Sequence, residues 1–213
     1  MPVARGIFIT FEGAEGSGKT TQIRAAADFL RAAGREVVVT REPGGTPIAD
    51  RIRAILLDRA SDGLTPAAEL LLYFAARAQH VAEVIRPALA AGKTVLCDRF
   101  ADATAAYQGH GRSLDLARIA EWNAWATDGL APDLTVLLDL PVEDGLTRAR
   151  RRVSESGGAE GRFEAEDLAF HRRVRDGYLA LAAAHPERIV RVDATGPADA
   201  VAARVRKAIE TWL

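Results

Sequence analysis

The chain holds a single cysteine, Cys97, in 213 residues. One thiol cannot close an internal disulfide, and no Cys/His spacing suggests a zinc site, so neither staples the fold. Cys97 sits inside an apolar run and reads as a small buried strand residue. An excess of one charge is also lacking: 28 Lys and Arg stand against 29 Asp and Glu, a formal net charge of −1. That balance argues against a nucleic-acid coat or a membrane-surface protein while leaving room for a local basic site. No segment reaches the roughly 18 uncharged apolar residues of a membrane span. The opening residues, MPVARGIFITFEG, carry one arginine before a short apolar run, which does not suit a signal peptide. No internal repeat and no linker divides the sequence. The expectation is one domain over residues 1–213 in a reducing cytoplasm.

Five short aliphatic runs read as buried strands: GIFITFE, EVVVT, TVLCD, LTVLLDL and RIVRVD. Helical patterns lie between them, such as TTQIRAAADFLRAAG, which closes at Gly34, and TPAAELLLYFAARAQHVAEVIRPALAAG, which closes at Gly92. Strands alternating with helices predict an α/β fold, a five-stranded parallel sheet flanked by helices in three layers. Right-handed crossovers then place the carboxyl ends of the strands, and any ligand, along one edge.

Between the first strand and the first helix the sequence is FEGAEGSGKTT. Residues Gly13, Ala14, Glu15, Gly16, Ser17, Gly18, Lys19 and Thr20 fit Gly-x-x-x-x-Gly-Lys-Thr, at the strand–helix junction where a P-loop belongs. The glycines let successive N–H groups turn inward onto a phosphate, and the helix beginning near Lys19 adds its positive end. Lys19 can reach the β- and γ-phosphates of ATP, and the Thr20 hydroxyl can hold Mg2+. Asp98 and Arg99 close the third strand: a carboxylate there can order the magnesium shell, and an arginine can offset charge on a transferring phosphoryl group. The second strand ends in REPGG, which puts Arg41 and Glu42 on the same edge and makes a second anion site plausible there.

The ordered set FEGAEGSGKTT, TREPGGTPIADRIR, LLYFAAR, DRFADATAAYQG, APDLTVLLDL and RFE resembles the thymidylate kinase family over almost the whole chain. The resemblance implies phosphorylation of dTMP to dTDP with ATP and Mg2+ in a P-loop NTPase-type domain, acting as a homodimer. It implies that Glu15 lies near the acceptor sugar and the metal, and that Glu42 and Arg53 form the monophosphate pocket. Glu12 is divided between the site and a structural role at the strand end, and Arg41 between the site and a surface ion pair. Tyr73 and Arg77 are four apart and share a helix face, as stacking on a pyrimidine and bonding to its exocyclic oxygen require. The family usually has Phe where this chain has Tyr73, and Phe74 is adjacent, so which ring stacks stays open, with spacing favouring Tyr73. Thr104 and Gln108 match base-pocket positions, and Tyr107 matches an aromatic near the sugar whose bulk disfavours a 2′-hydroxyl. Ala103 stands where a serine is common.

The stretch TRARRRVSESGGAEGRFE reads as a lid over about 148–163, with Gly157, Gly158 and Gly161 as pivots. The P-loop has no arginine, so the phosphate clamp falls to the lid, as in the bacterial subtype of this family. Arg148, Arg152 and Arg162 are the candidates, with Arg152 grouped with Lys19, Arg99 and Glu15 as catalytic. Two rival readings remain: another pyrimidine nucleoside monophosphate kinase, separable by comparing dTMP, dUMP, dCMP and dGMP, and an inactive nucleotide-binding module, which would bind ATP without forming ADP. No Asn-Lys-x-Asp-like run follows the fourth strand, which argues against a GTPase.

Overall fold

The computed structural model describes residues 5–155 and 161–212, with side chains throughout except at positions 152, 153 and 155. Five parallel strands are present among these residues: β1 (Phe8–Glu12), β2 (Val37–Arg41), β3 (Thr94–Asp98), β4 (Leu134–Asp139) and β5 (Ile189–Asp193). Their order across the sheet is β2-β3-β1-β4-β5, so β1 lies between β3 and β4. The register pairs Phe11 with Asp98 on one side and with Val136 on the other. β1 and β4 are buried at every position and β3 at all but its last, whereas the edge strands β2 and β5 are partly exposed. The central runs therefore lack polar alternation, because helices cover both faces.

Side chains alternate between those faces. Ile9, Phe11, Leu96, Val136 and Leu138 meet α1 (Lys19–Ala32) and α9 (Ala198–Glu210) through Ile23, Leu30, Val201, Val205 and Ile209. Phe8, Val95 and Cys97 point the other way, onto Val81, Ile85 and Leu89. These last belong to a continuous helical run made of α3 (Pro66–His80), a π-turn at Val81–Ile85 and α4 (Arg86–Ala90). On that same face, beyond β4, α8 (Leu168–Ala184) packs Phe170, Val174 and Tyr178 against Leu137 and Ile189. Cys97 is fully buried, as its place in the sequence implies.

The remaining elements carry the strand-edge residues. α2 (Pro47–Leu57) opens with a Thr46 side-chain cap and Pro47 in its first turn, and α3 opens likewise with Thr65 and Pro66. After β3 the chain forms α5 (Ala101–Thr104), then a π-turn at Ala105–Gly111, then α6 (Leu116–Thr127), capped by Asp115. α7 (Val142–Glu155) follows β4 and carries the first limb of the lid stretch. Gly157 and Gly158 lie outside the described residues.

Candidate active site

A cavity of about 1040 Å³ opens along the carboxyl edge of the sheet. The ends of β2 and β3 and the loop after β1 line it, at the point where the β1-to-β2 connection runs to one side of the sheet and the β3-to-β4 connection to the other. At one end lies the loop between β1 and α1. Gly16 holds φ 69°, and a Cβ there would lie 2.0 Å from the Gly145 carbonyl oxygen. Gly145 is equally tight, with Glu15's carbonyl 2.3 Å from where its Cβ would be. Two glycines thus let the P-loop lie directly on the base of α7. α1 begins at Gly18 with no side-chain cap. Thr21 and Gln22 already donate to the Gly18 carbonyl, each at 3.1 Å, and the uncapped Lys19 and Thr20 amides ahead of them suit an anion.

Lys19 folds back over this loop, its Nζ donating to the carbonyls of Gly13 (3.0 Å) and Ala14 (3.1 Å). Burial, reinforced by the nearby Arg99 charge, pushes its pKa down to about 8. A buried ammonium resting on carbonyls is an unfavourable arrangement that an incoming phosphate relieves. The Thr20 hydroxyl donates to Asp98 Oδ2 at 3.3 Å, so both residues expected to serve a metal stand together at the cavity wall. No cluster of three or more His, Cys, Asp or Glu suited to a metal occurs among the described residues. Two hard oxygen donors beside a phosphate loop fit Mg2+, which takes most of its ligands from nucleotide and water.

Arg99 lies at the middle of the cavity in the left-handed region, φ 69°, unusual for a side chain of its bulk. Its guanidinium donates to the Gly13 carbonyl (3.0 Å), Tyr178 Oη (3.1 Å), Glu15 Oε1 (2.9 Å) and Tyr107 Oη (3.0 Å). Tyr107 in turn donates to Glu15 Oε1 at 2.8 Å. Glu15, Arg99 and Tyr107 are therefore one connected unit. Glu12 supports it from below: it is fully buried and accepts from the Phe100 amide and from Tyr178 Oη, each at 2.7 Å. Its carboxyl pKa is pushed up to about 7, chiefly by burial and then by Asp102. Glu12 thus takes the strand-end, structural role.

At the far end, Arg77 is 1% exposed and fixed on four sides. It donates to Glu42 Oε2 (2.7 Å), Asn123 Oδ1 (3.0 Å), the Phe100 carbonyl (2.9 Å) and Thr104 Oγ1 (3.0 Å). Glu42 also meets His80 Nδ1 at 2.9 Å, and His80 Nε2 meets Thr40 Oγ1 at 2.7 Å. So Glu42 lines the cavity while its charge is taken up by Arg77. Arg53 lines it too, with one Nη donating to the Pro43 carbonyl at 3.1 Å. Arg41 makes an exposed ion pair with Asp50 at 3.2 Å, the second of its two readings, although it also reaches the cavity wall. Tyr73 faces the cavity, whereas Phe74 is buried against Leu70, Ile119 and Trp122 between α3 and α6. That decides which ring is available: spacing favoured Tyr73, and α6 covers Phe74. Ala103, Thr104, Tyr107 and Gln108 also line this end.

Of the lid candidates, Arg148 is exposed on α7 and lines the cavity. The Arg152 side chain lies outside the described residues. Arg162 is not brought to the cavity: it is 7% exposed, donates to the Leu56 carbonyl at 2.7 Å and pairs with Glu69 at 2.6 Å. Phe163 and Glu164, its neighbours, line the cavity instead. Two contributors escaped the sequence reading. Tyr178 sits in α8, 79 residues from Arg99, with no motif around it. Glu69 did carry a signal, a lone carboxylate beside the apolar run of α3.

The profile of a protein family described as thymidylate kinase matches residues 11–205. A thymidylate kinase of Geobacter sp. (strain M21) is 62% identical over 205 residues, 96% of this chain and 91% of its own. One from Trichlorobacter lovleyi is 60% identical over 208 residues, 97% of this chain and 98% of its own. The crystal structure of thymidylate kinase from Ehrlichia chaffeensis superposes with a TM-score of 0.77 at 35% identity, covering 96% of this chain and 99% of that one.

Proposed function

This chain belongs to the thymidylate kinase family and phosphorylates dTMP to dTDP at the expense of ATP, and we propose how its residues divide that work. ATP lies in the P-loop with its phosphates on the amides of Gly13–Thr20 and on Lys19. dTMP lies opposite, its base against Tyr73, Arg77, Thr104 and Gln108, its sugar near Tyr107 and Glu15, and its phosphate between Arg53 and Arg99. The observation that carries this arrangement is one continuous cavity whose wall includes the P-loop with Lys19, then Arg99, and also Arg53, Tyr73, Arg77 and Gln108.

A dTMP phosphate oxygen is already nucleophilic at neutral pH, so no general base is required of the protein. The side chains align the oxygen with the γ-phosphorus, exclude water and spread positive charge along the reaction axis. Lys19 and Arg99 supply two such charges. Thr20 and Asp98 would hold Mg2+, which neutralises charge on the donor phosphates when bound. The third protein charge comes from the lid over about 148–163, in which Arg148 or Arg152 closes on the phosphates and Arg162 fastens the returning limb. Arg148 already lines the cavity.

The chain works as one kinase domain in the cytoplasm; among the described residues no helix is long and apolar enough to cross a membrane. It pairs with a second copy through α3 and α6, which turn outward Leu71 (52% exposed), Trp122 (37%) and Trp125 (85%). Sedimentation velocity would give twice the monomer mass for the wild type and the monomer for Trp125→Arg; a wild-type monomer would remove this part.

The roles are tested by following dTDP formation from ATP and dTMP. EDTA should abolish it, and excess Mg2+ should restore it. Arg148→Ala and Arg152→Ala, compared separately, should identify the clamp as the one that lowers kcat by about 10²–10³-fold with little change in Tm. Full kcat in both variants would remove the lid arginine from the mechanism.

A further inference from the structure

Glu69 of α3 is 1% exposed, with polar partners drawn from two other parts of the chain. Its Oε1 accepts from Gln108 Nε2 at 2.7 Å and from Arg112 Nε at 3.4 Å. Its Oε2 accepts from Arg112 Nη2 at 3.3 Å and pairs with Arg162 Nη2 at 2.6 Å. Arg112 is further held by Glu166 at 2.6 Å. The two arginines satisfy the charge of Glu69. Gln108, the third partner, is neutral, 1% exposed and part of the cavity wall.

A carboxylate can only accept hydrogen bonds, whereas a primary amide has a donating end and an accepting end. Facing Glu69, Gln108 must turn its NH2 toward the carboxylate, because the opposite rotamer would set two acceptors against each other. The carbonyl oxygen is then the end left for the cavity. Nearby, Thr104 Oγ1 accepts from Arg77 Nη2 at 3.0 Å, which leaves its single proton to donate. The base end of the cavity therefore offers a fixed donor at Thr104 and a fixed acceptor at Gln108. Thymine and uracil present the complement, an O4 acceptor beside an N3–H donor. Cytosine presents the reverse, an N4 amino donor beside an N3 acceptor.

We propose that Glu69 is a positioning residue for substrate selection: it fixes the polarity of the Gln108 amide, and so admits pyrimidines with an N3–H and rejects cytosine. The idea rests on the base lying at this end of the cavity, as placed above. Glu69 touches no substrate and acts only through Gln108. Its ion pair with Arg162 also places the charge that holds that amide beside the returning limb of the lid.

The test is the specificity constant, kcat/KM, for dTMP, dUMP and dCMP in the wild type and in Glu69→Gln. A glutamine at 69 can donate as well as accept, so Gln108 becomes free to turn over. The dCMP:dTMP ratio should then rise about tenfold or more, the scale set by relieving one mismatched buried hydrogen bond. The dUMP:dTMP ratio should stay within about threefold, since uracil and thymine share this edge. Ratios cancel the amount of folded enzyme, so partial unfolding does not mask the result. Glu69→Gln combined with Arg162→Met removes one of the guanidiniums left facing a neutral side chain, and should give the same ratios. An unchanged dCMP:dTMP ratio overturns the proposal, and so does a parallel rise for dCMP and dUMP, which would mean a loosened pocket. A wild type that does not turn over dTMP would instead sink the functional reading itself.

Discussion

At the donor end of the cavity the ligand-binding groups are main-chain amides, arranged by eight consecutive residues from Gly13 to Thr20. At the acceptor end they are side chains from α2, α3 and the segments after β2 and β3, held by bonds such as the buried Arg77–Glu42 ion pair, 35 positions apart, and Arg77 to Asn123, 46 positions apart. The difference has an energetic consequence. Lys19 is buried at some cost to stability and is repaid when a phosphate arrives. Arg77 is buried with four of its five N–H donors already bonded, so it contributes to the folded state before any ligand binds. The donor end resembles a trap waiting for an anion; the acceptor end is part of the core that has a binding face.

Substituting each cation tests that contrast, and these effects should be the largest. Lys19→Met should lower kcat by about 10³-fold or more, because a charge that follows the transferring phosphoryl group is lost. It should leave Tm at pH 7 unchanged or raised. The sign follows from the depressed pKa: the folded state binds the Lys19 proton less tightly than the unfolded chain. The wild type therefore bears a cost at pH 7 that fades as pH climbs from about 8 toward the usual lysine value of 10.5. The stabilising effect of Lys19→Met should fade over the same range. Arg77→Leu should behave in the opposite manner, leaving Glu42 buried beside His80 with its strongest partner gone. The expected loss is about 3–5 kcal/mol, a fall in Tm of roughly 6–20 °C for a chain of this size. Calorimetric scans of both variants decide it; equal losses of stability would erase the distinction between the two ends.

A smaller effect sharpens the same point. Phosphates seated on Lys19 should raise its pKa, so ADP binding at pH 8.5 should take up a fraction of a proton, and at pH 6.5 Lys19 should contribute none. Titration calorimetry in two buffers with different ionisation heats measures this uptake. Heats independent of buffer at pH 8.5 would mean that Lys19 is already fully protonated in the free protein.

The strand-rich part of the fold was legible because each strand is a short apolar run broken by charge or glycine, and the sheet order then places the motif residues on one edge. α8 was not legible. Its sequence, LAFHRRVRDGYLALAAA, mixes arginines with apolar residues and bears no motif, yet it supplies Tyr178 beneath Arg99. Arg162 was expected in the lid because it is an arginine after a glycine-rich stretch. The fold buries it against Glu69, a partner from α3 that no pattern along the lid specifies.

By itself the sequence determined the phosphate loop, since that site is made from the backbone of neighbouring residues and depends on glycine, lysine and threonine at fixed spacing. It also determined which side chains gather at the strand ends, because parallel strands have one carboxyl edge. Only the tertiary structure decided what each of those side chains is bonded to. Whether Phe74 is covered, whether Arg162 faces solvent, and which end of the Gln108 amide is free all depend on partners supplied by distant elements. A buried polar group must take its hydrogen bonds from whatever the fold brings beside it.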